Sequence, residues 1–246
     1  MSVWVRLAVG VAVLVAITLA VLWAARIPHR RAVIIASVRA AVQLAVVALA
    51  LRGVFAAPIT VVAVVAVMLS VAVWTASQRL KNLEGARSAV ALACFAGAAI
   101  SVGIVVGLPV LDRSLRDLVA VAGIIVGGTM TAATLTGRHL ENGLRLRHDE
   151  VEGWLALGAT HREATRDIAR HSVYEALVPA LDQTRTVGLV SLPGAFVGAL
   201  LGGAAVGSAA RFQLAVLVGL LCAESITATV VAYRLGAPTV FPEPRR

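Results

Sequence analysis

The chain has 246 residues, of which 59% are hydrophobic and 14% are charged, and its formal net charge is +9. A soluble domain of this length usually carries about 25% charged and 45–50% apolar residues, so the composition excludes an ordinary soluble domain. The sequence is therefore predicted to be an integral membrane protein. Its positive charge is attributed to loops on the cytoplasmic side rather than to nucleic-acid binding.

Seven apolar segments are long enough to cross about 30 Å of hydrocarbon as helices. They cover residues 3–25, 32–52, 57–76, 89–109, 117–137, 176–200 and 210–234. The segments are unbroken runs rich in Val, Ala and Leu, whereas strands of a barrel would be short and alternating. An all-α, polytopic helical bundle is predicted over residues 1–237, followed by a disordered, proline-rich tail at 238–246.

The distribution of basic residues predicts the orientation of this bundle. If the polar segment 138–175 lies in the cytoplasm, most of the 22 basic residues fall on the cytoplasmic side. An excess of Lys and Arg in cytoplasmic loops is the usual pattern of membrane proteins. The N-terminus is therefore predicted outside and the C-terminus inside.

The segment 138–175 is the one long polar stretch of the sequence. Within it, an apolar patch at Trp154 and Leu155 follows acidic residues that include Glu150 and Glu152. Such a patch is typical of a surface that fits a groove in another protein, and the alternative is an amphipathic loop at the lipid surface. The acidic residues disfavour anionic headgroups, so docking to a protein is the favoured interpretation.

Gly158 divides this segment into two predicted helices, because glycine permits a tight turn. Thr160 is the predicted N-cap of the second helix, since Glu163 follows three residues later, as in a capping box. Arginines then recur every four residues and form a basic stripe on one helix face. The members of the stripe are Arg162, Arg166 and Arg170.

Polar groups at bilayer depth are costly, so each is a candidate for a translocation path. Arg39 and Gln43 lie one turn apart in the second predicted span, and Glu224 lies in the middle of the last. We expect Glu224 to face the bundle interior and to find a basic or hydroxyl partner, with Arg39 as the first candidate. The alternative is a purely structural ion pair.

Two further groups of residues are candidates for the path. Thr129 and Thr131 lie in the fifth predicted span, although their hydroxyls can instead bond the backbone of their own helix. In the sixth span, Pro193 interrupts the helix and Gly194 and Gly198 share one face. Small residues at this spacing allow helices to approach closely, so the face predicts bundle packing, a path or a dimer seam.

The sequence lacks several patterns that would indicate chemistry. It contains no G-x-x-x-x-G-K-[ST] loop, so no nucleotide cofactor is predicted in this chain. Its histidines form no H-x-x-x-H or H-E-x-x-H pattern, and no catalytic residues are predicted. The two cysteines fall in separate apolar runs and indicate no disulfide framework.

A motif of the form E-x-x-x-x-x-G followed by an isoleucine, together with several longer stretches, resembles the UPF0014 family of ABC-transporter permeases. The motif residues are Glu152, Gly158 and Ile168. The longer stretches, in matching order, are "SVRAAVQL" (37–44), "ALGAT" (156–160), "VGLVSLPGAFVGALLGG" (187–203) and "RFQLAVL" (211–217). The resemblance covers nearly the whole chain.

This resemblance implies a permease subunit that exports a metal ion such as iron. It would work as a homodimer in the lipid membrane. The driving force would be ATP bound to a separate cytoplasmic P-loop ATPase. The segment 138–175 would be its coupling segment. The implied ATPase-docking residues are Glu150, Glu152, Trp154, Leu155, Gly158, Ala159, Thr160 and Ile168. Positions 127–129 and 195–199 lack polar or soft side chains of the resembling proteins, so the metal ligands stay open. A secondary carrier or a membrane-embedded enzyme is the alternative class.

Overall fold

The computed structural model describes residues 2–28, 30–54, 58–108 and 114–238, with side chains described outside 50–54 and 58. Ten helices form the described part of the chain, and none of it lies in a β-strand. The helices are α1 Val3–Ala24, α2 Arg30–Val54, α3 Pro58–Arg79, α4 Ala86–Gly107, α5 Leu115–Leu146, α6 His148–Ala156, α7 His161–Ala164, α8 Arg166–Thr186, α9 Gly194–Leu201 and α10 Val206–Leu235. The all-α prediction is confirmed. The predicted disordered tail lies outside the described residues, apart from Pro238.

Within the described residues, six helices are long and apolar enough to cross a membrane. They are Val3–Ala24, Arg30–Leu49, Ile59–Arg79, Ala86–Gly107, Leu115–Leu146 and Val206–Leu235. These helices match the first five predicted spans and the last one. The polytopic helical bundle is thereby confirmed, and the chain is a multi-pass membrane protein.

The sixth predicted span, 176–200, is divided in the structure. Helix α8 ends at Thr186, where Gly188 adopts a φ of +79° that L side chains rarely adopt. Pro193 disfavours helical conformation in the residue before it, and α9 begins only after this proline. The eight residues of α9 extend about 12 Å, which is too short to cross the membrane alone.

The chain divides into two compact units, Met1–Ala57 and Pro58–Arg246. In the first unit, α1 packs against α2, and none of the residues of α1 is buried. Its valines, leucines and isoleucines point outward, as expected for a helix whose apolar surface meets lipid.

In the second unit, α10 lies at the centre of a bundle and packs against α4, α5, α8 and α9. Glycine permits this close packing at two places. A Cβ at Gly97 would lie 2.6 Å from the carbonyl oxygen of Ala223, and a Cβ at Gly128 would collide with the side chain of Leu220. Helices α4 and α5 therefore approach α10 more closely than any larger residue at these positions would permit.

We call residues 147–165 the elbow, and the end of the second unit where they lie the elbow end. Two hydrogen bonds join the elbow to the end of α10. Thr165 donates its hydroxyl to the carbonyl of Gly236, and Arg162 Nη1 donates to the carbonyl of Tyr233 over 3.2 Å. The elbow and the end of α10 therefore lie at the same end of the bundle.

The turn between α3 and α4 also belongs to the elbow end. Asn82 Nδ2 donates to Glu141 Oε1 near the end of α5 over 3.1 Å. The same carboxylate accepts from Arg145 Nη2 over 2.5 Å. The turn between α3 and α4, the elbow and the end of α10 each carry basic residues that indicate the cytoplasmic side. These three segments thus lie at one end of the unit.

Candidate functional site

The elbow turns at Gly158, as the sequence predicts. This glycine has a φ of +90°, and its N–H donates to the carbonyl of Leu155 over 3.0 Å. The N–H of Ala159 donates to the carbonyl of Trp154 over 3.1 Å. This pair of bonds is a Schellman motif, which ends a helix with glycine in the left-handed region. The direction in which the chain leaves α6 is therefore fixed by the backbone.

The predicted capping box at the start of α7 is confirmed. The N–H of Glu163 donates to Thr160 Oγ1 over 3.3 Å, while Glu163 Oε2 accepts from the backbone N–H of Thr160 over 2.8 Å. The hydroxyl of Thr160 adds a third bond of 2.7 Å to this carboxylate. The backbone N–H and the hydroxyl of Thr160 lower the pKa of Glu163 below its ordinary value.

The start of the elbow carries an exposed ion pair. The guanidinium of Arg147 donates two hydrogen bonds of 2.6 and 2.5 Å to the carboxylate of Glu150. This contact lowers the pKa of Glu150 and raises that of Arg147. Because the carboxylate is already bound within the chain, Glu150 lies at the rim of the elbow and does not present a free charge to a partner.

His148, Asp149 and Glu152 bring their ligand atoms within 4.8 Å of one another. Nδ1 of His148 lies 3.6 Å from Oε1 of Glu152 and 3.9 Å from Oδ1 of Asp149. One imidazole and two carboxylates are a donor set suited to a divalent transition metal. When the histidine is protonated, the same arrangement forms ion pairs. This group was not predicted, because it contains one histidine and so matches neither H-x-x-x-H nor H-E-x-x-H.

The exposed face of the elbow has an apolar centre. Trp154 is 51% exposed and Leu157 is 82% exposed. Both line a groove of about 520 Å³ whose other walls include Glu150, Gly158 and Asp167. Large apolar side chains surrounded by a charged rim are typical of protein–protein interfaces, and tryptophan is enriched among the residues that dominate binding energy.

Two residues of the elbow region face inward and anchor it. Val151 is buried, as is Ile168 at the start of α8, and Leu155 packs against the same core. A Cβ at Gly143 of α5 would lie 2.6 Å from Cγ2 of Ile168. Ile168, which the resemblance placed among the docking residues, therefore contacts α5 and does not lie on the exposed groove. Of the other predicted docking residues, Glu152, Gly158 and Thr160 are exposed and Ala159 is half-buried.

Glu224, the candidate acid of the translocation path, faces the bundle interior, as predicted. It is 7% exposed, and a Cβ at Gly128 of α5 would lie 2.8 Å from its Oε1. The predicted partner Arg39 belongs to the first compact unit, where it and Gln43 lie exposed on α2. A pair between Glu224 and Arg39 stays a prediction.

The two path threonines bond the backbone of their own helix. Thr129 is buried and donates to the carbonyl of Val126 over 2.8 Å, and the exposed Thr131 donates to the carbonyl of Gly127 over 3.1 Å. Thr227 behaves differently, because its hydroxyl reaches the carbonyl of Ala93 on α4 over 3.2 Å. Sequence analysis missed this link between α10 and α4, since a threonine in a span looks the same whether it bonds locally or across helices.

The predicted small-residue face of the sixth span lies on α9. Pro193 is the N-cap of this helix. A Cβ at Gly194 or Gly198 would meet no atom within 4 Å. Within the described part of the chain, this face therefore contacts no other helix.

Among the described residues, the helical bundle and its six long apolar helices are those of a multi-pass membrane protein. Residues 4–241 match the family model described as "Uncharacterised protein family (UPF0014)", and the chain belongs to this family. It is 32% identical over 227 residues to "UPF0014 membrane protein STAR2" of Oryza sativa subsp. japonica, covering 92% of this chain and 80% of that protein.

Two further relatives extend this similarity. "Protein ALUMINUM SENSITIVE 3" of Arabidopsis thaliana is 36% identical over 68% of this chain and 62% of its own length. "Probable iron export permease protein FetB" of Escherichia coli (strain K12) is 29% identical over 79% of this chain and 76% of its own length. No solved structure matches the chain. The family and these names support a membrane permease rather than an enzyme.

Proposed function

We propose that the chain is the membrane-spanning subunit of an ABC transporter, driven by a separate cytoplasmic ATPase that binds the elbow. The observation that carries this proposal is the exposure of Trp154 and Leu157 on a groove whose backbone is fixed at both ends. Because the backbone is already ordered, a large apolar side chain on it loses only its own rotamer freedom when it binds a partner. The sequence has no P-loop, so the nucleotide binds the partner chain.

Contacts from the elbow and from the first turn of α8, which follows it directly, support the role of the elbow as a lever. Ile168 lies in that first turn and packs against α5 at Gly143. Thr165 bonds the residue that follows α10. A displacement of the elbow by ATP binding in the partner would therefore move α5, α8 and α10 together, and a bundle with two alternative arrangements converts such a displacement into transport.

The orientation, cargo and assembly complete the proposal. The elbow end lies in the cytoplasm, which places the N-terminus outside and the C-terminus inside. The cargo is a metal cation that is exported, iron being the first choice because the Escherichia coli relative is named an iron export permease. Two copies form the transporter, and the open face of α9 at Gly194 and Gly198 supports a contact between them.

Co-reconstitution tests this proposal. The chain and the P-loop ATPase of its source genome are purified together and placed in liposomes, and ATP-driven movement of Fe²⁺ is measured. We expect Trp154→Ala to weaken ATPase binding about 30-fold or more, the effect of losing a binding hot spot. Leu146→Ala is the control, because Leu146 is a large apolar side chain that is more exposed than Trp154 but does not line the groove. Unchanged binding and transport in Trp154→Ala would contradict the proposal.

Glu224 supports a second candidate function, that of a carrier driven by a cation gradient. Its carboxylate is buried in a spanning helix and forms no hydrogen bond or ion pair with any residue that the structure describes, and such groups bind protons or cations in carriers. The same liposomes distinguish the two candidates. Fe²⁺ movement that follows a proton gradient without ATP, and that Glu224→Gln abolishes, would favour the carrier.

A further inference from the structure

A second groove lies between the start of α8 and the end of α10, and it shares Glu163 and Arg166 with the edge of the docking groove. It encloses about 400 Å³. Its floor is apolar and small, and its rim carries the whole basic stripe. The floor residues are Ala169, Val173, Thr229 and Ala232. The rim residues are Arg162, Arg166 and Arg170.

One of the three arginines is held against α10. The guanidinium carbon of Arg162 lies 4.0 Å from the centroid of the Tyr233 ring, and its Nη1 donates to the carbonyl of the same residue over 3.2 Å. A guanidinium over an aromatic face is attracted by the ring quadrupole. Arg162 lies in α7 whereas Arg166 and Arg170 lie in α8, so the predicted stripe runs over two consecutive helices. The contact with Tyr233 fixes one wall of the groove and brings the stripe to the end of α10.

Two of the rim arginines are not bonded to an acidic side chain of the described residues, although Glu163 is close enough to Arg166 to interact with it electrostatically. Arg166 and Arg170 form no salt bridge and no side-chain hydrogen bond with any residue in the described ranges. The acid that shares the groove, Glu163, directs Oε2 to the N–H and hydroxyl of Thr160. Two guanidinium groups therefore remain available for an anion, and guanidinium binds phosphate with paired hydrogen bonds.

The length of α10 places this groove at the surface of the membrane. The helix has 30 residues, which is about 45 Å at 1.5 Å per residue, whereas the hydrocarbon core is about 30 Å thick. The last turns of α10, with the 64% exposed Tyr233, therefore reach the headgroup layer, where tyrosine is enriched. Thr229 lies one turn deeper, so the apolar floor extends from the headgroups towards the acyl chains.

We propose that this groove binds an anionic phospholipid. Its phosphate contacts Arg166 and Arg170, and the first part of one acyl chain lies along Ala169, Val173 and Ala232. A basic pocket between helices at a membrane surface is a recurrent site for anionic headgroups. This inference does not rest on the transport proposal, because it follows from the groove and its charge.

Native mass spectrometry of the full chain tests the proposal, with phosphatidylglycerol and phosphatidylcholine of identical acyl chains as the two probes. We expect the protein to retain phosphatidylglycerol preferentially. The double variant Arg166→Gln/Arg170→Gln should weaken this retention about 30-fold, given the usual contribution of two basic residues at a membrane surface. The control Arg30→Gln/Arg31→Gln removes the same charge from exposed positions at the start of α2 and should retain the lipid as wild type does.

A photoactivatable phosphatidylglycerol provides a measurement that needs no variant. It should cross-link to peptides that contain residues 166–173 and 229–236. Equal retention of the two lipids, equal loss in the test and control variants, or cross-links that avoid both peptides would each overturn the proposal. Unchanged lipid retention in Arg166→Gln/Arg170→Gln would also overturn it, whatever the variant does to ATPase binding, because Arg166 lines both grooves.

Discussion

The two ends of the second compact unit are built differently. At the elbow end, side-chain hydrogen bonds join elements that are distant in sequence, as between Asn82 and Glu141 and between Thr165 and Gly236. At the opposite end, the chain from 187 to 203 turns at Gly188 and Gly203, each with a positive φ. Exposed leucines and valines dominate this second region. They include Leu189, Val190, Leu192 and Leu201.

At the elbow end, α5, α8, the turn after α3 and the end of α10 are linked, whereas the segment 187–203 carries large exposed apolar side chains. Under the proposed function, the first region would move as a unit and the second would be covered by a partner. A non-helical backbone at membrane depth is tolerated where protein covers it or where it lines a water-filled cavity. The exposed segment 187–203 therefore favours coverage by a second copy of the chain, as the proposed homodimer requires.

The largest expected effect is that of Gly97→Ala. Gly97 lies where α4 and α10, the helices that run between the two ends, approach each other closely. A Cβ there would lie 2.6 Å from the carbonyl oxygen of Ala223, and a backbone atom cannot move aside cheaply. We expect the free energy of unfolding to fall by about 3 kcal/mol, in the upper part of the range for overpacked cores. The shift of the unfolding midpoint in detergent measures this fall. Gly103→Ala on the same helix is the control, since a Cβ there meets nothing within 4 Å. Equal stability of the two variants would contradict the close contact.

Gly158→Val should have the next largest effect, and a local one. A β-branched residue at a φ of +90° is strained by about 1–2 kcal/mol or more, so the turn after α6 should change direction. We expect faster hydrogen exchange in residues 148–165 and at least about a tenfold loss of ATP-driven transport, since about 1.4 kcal/mol corresponds to a factor of ten. Gly153→Ala, within α6, should leave both quantities near wild type. Full transport by Gly158→Val would show that ATP-driven transport does not depend on the geometry of this turn.

Thr165→Val should lower the local stability of the elbow end, by less than the two glycine variants do. The variant loses the hydroxyl that donates to the carbonyl of Gly236, and one such bond contributes about 1 kcal/mol. The matched control is Thr184→Val on α8, whose hydroxyl bonds only the carbonyl of Ala180 in its own helix. Hydrogen exchange of the last turn of α10 should rise in Thr165→Val alone. A similar rise in both variants would mean that the Gly236 bond does not join these elements.

The smallest effect is a pH dependence at the capping box. Because the pKa of Glu163 is lowered in the folded chain, its contribution to stability is complete above the ordinary pKa of a glutamate. It is lost as the pH falls through the lowered value. We expect the protection of amides 160–165 against hydrogen exchange to fall below about pH 4 in the wild type. Glu163→Gln, which does not titrate, should show no such fall relative to its own value at pH 6. Parallel profiles in the two proteins would exclude Glu163 as the cause.

Local rules predicted the parts of the fold that depend on neighbours in sequence. Six apolar helices, the turn at Gly158 and the capping box at Thr160 all follow from hydropathy, φ preference or spacing. The interruption of the sixth span at Pro193 was recognised, but 176–200 was still counted as one span, and the end of α8 before Gly188 was not predicted. The span was assigned from the hydropathy of the whole segment 176–200, to which one glycine and one proline make little difference.

Contacts between helices were predicted less well, because they depend on which face of each helix meets its neighbour. Four-residue spacing grouped Gly194 with Gly198, yet the close approaches occur at Gly97 and Gly128. Ile168 matched the docking motif in sequence but is buried against α5. A motif fixes the order of residues along the chain, whereas burial is decided by partners that lie far away in sequence.

A photo-cross-linking amino acid placed at position 157 of the full-length chain, in membranes that also contain the P-loop ATPase, tests the central claim most directly. The same amino acid at position 201, which is similarly exposed at the opposite end, is the control. Docking on the elbow predicts a cross-link to the ATPase from position 157 and none from position 201. An ATPase that supports transport but cross-links only from position 201, or from neither position, would contradict the account.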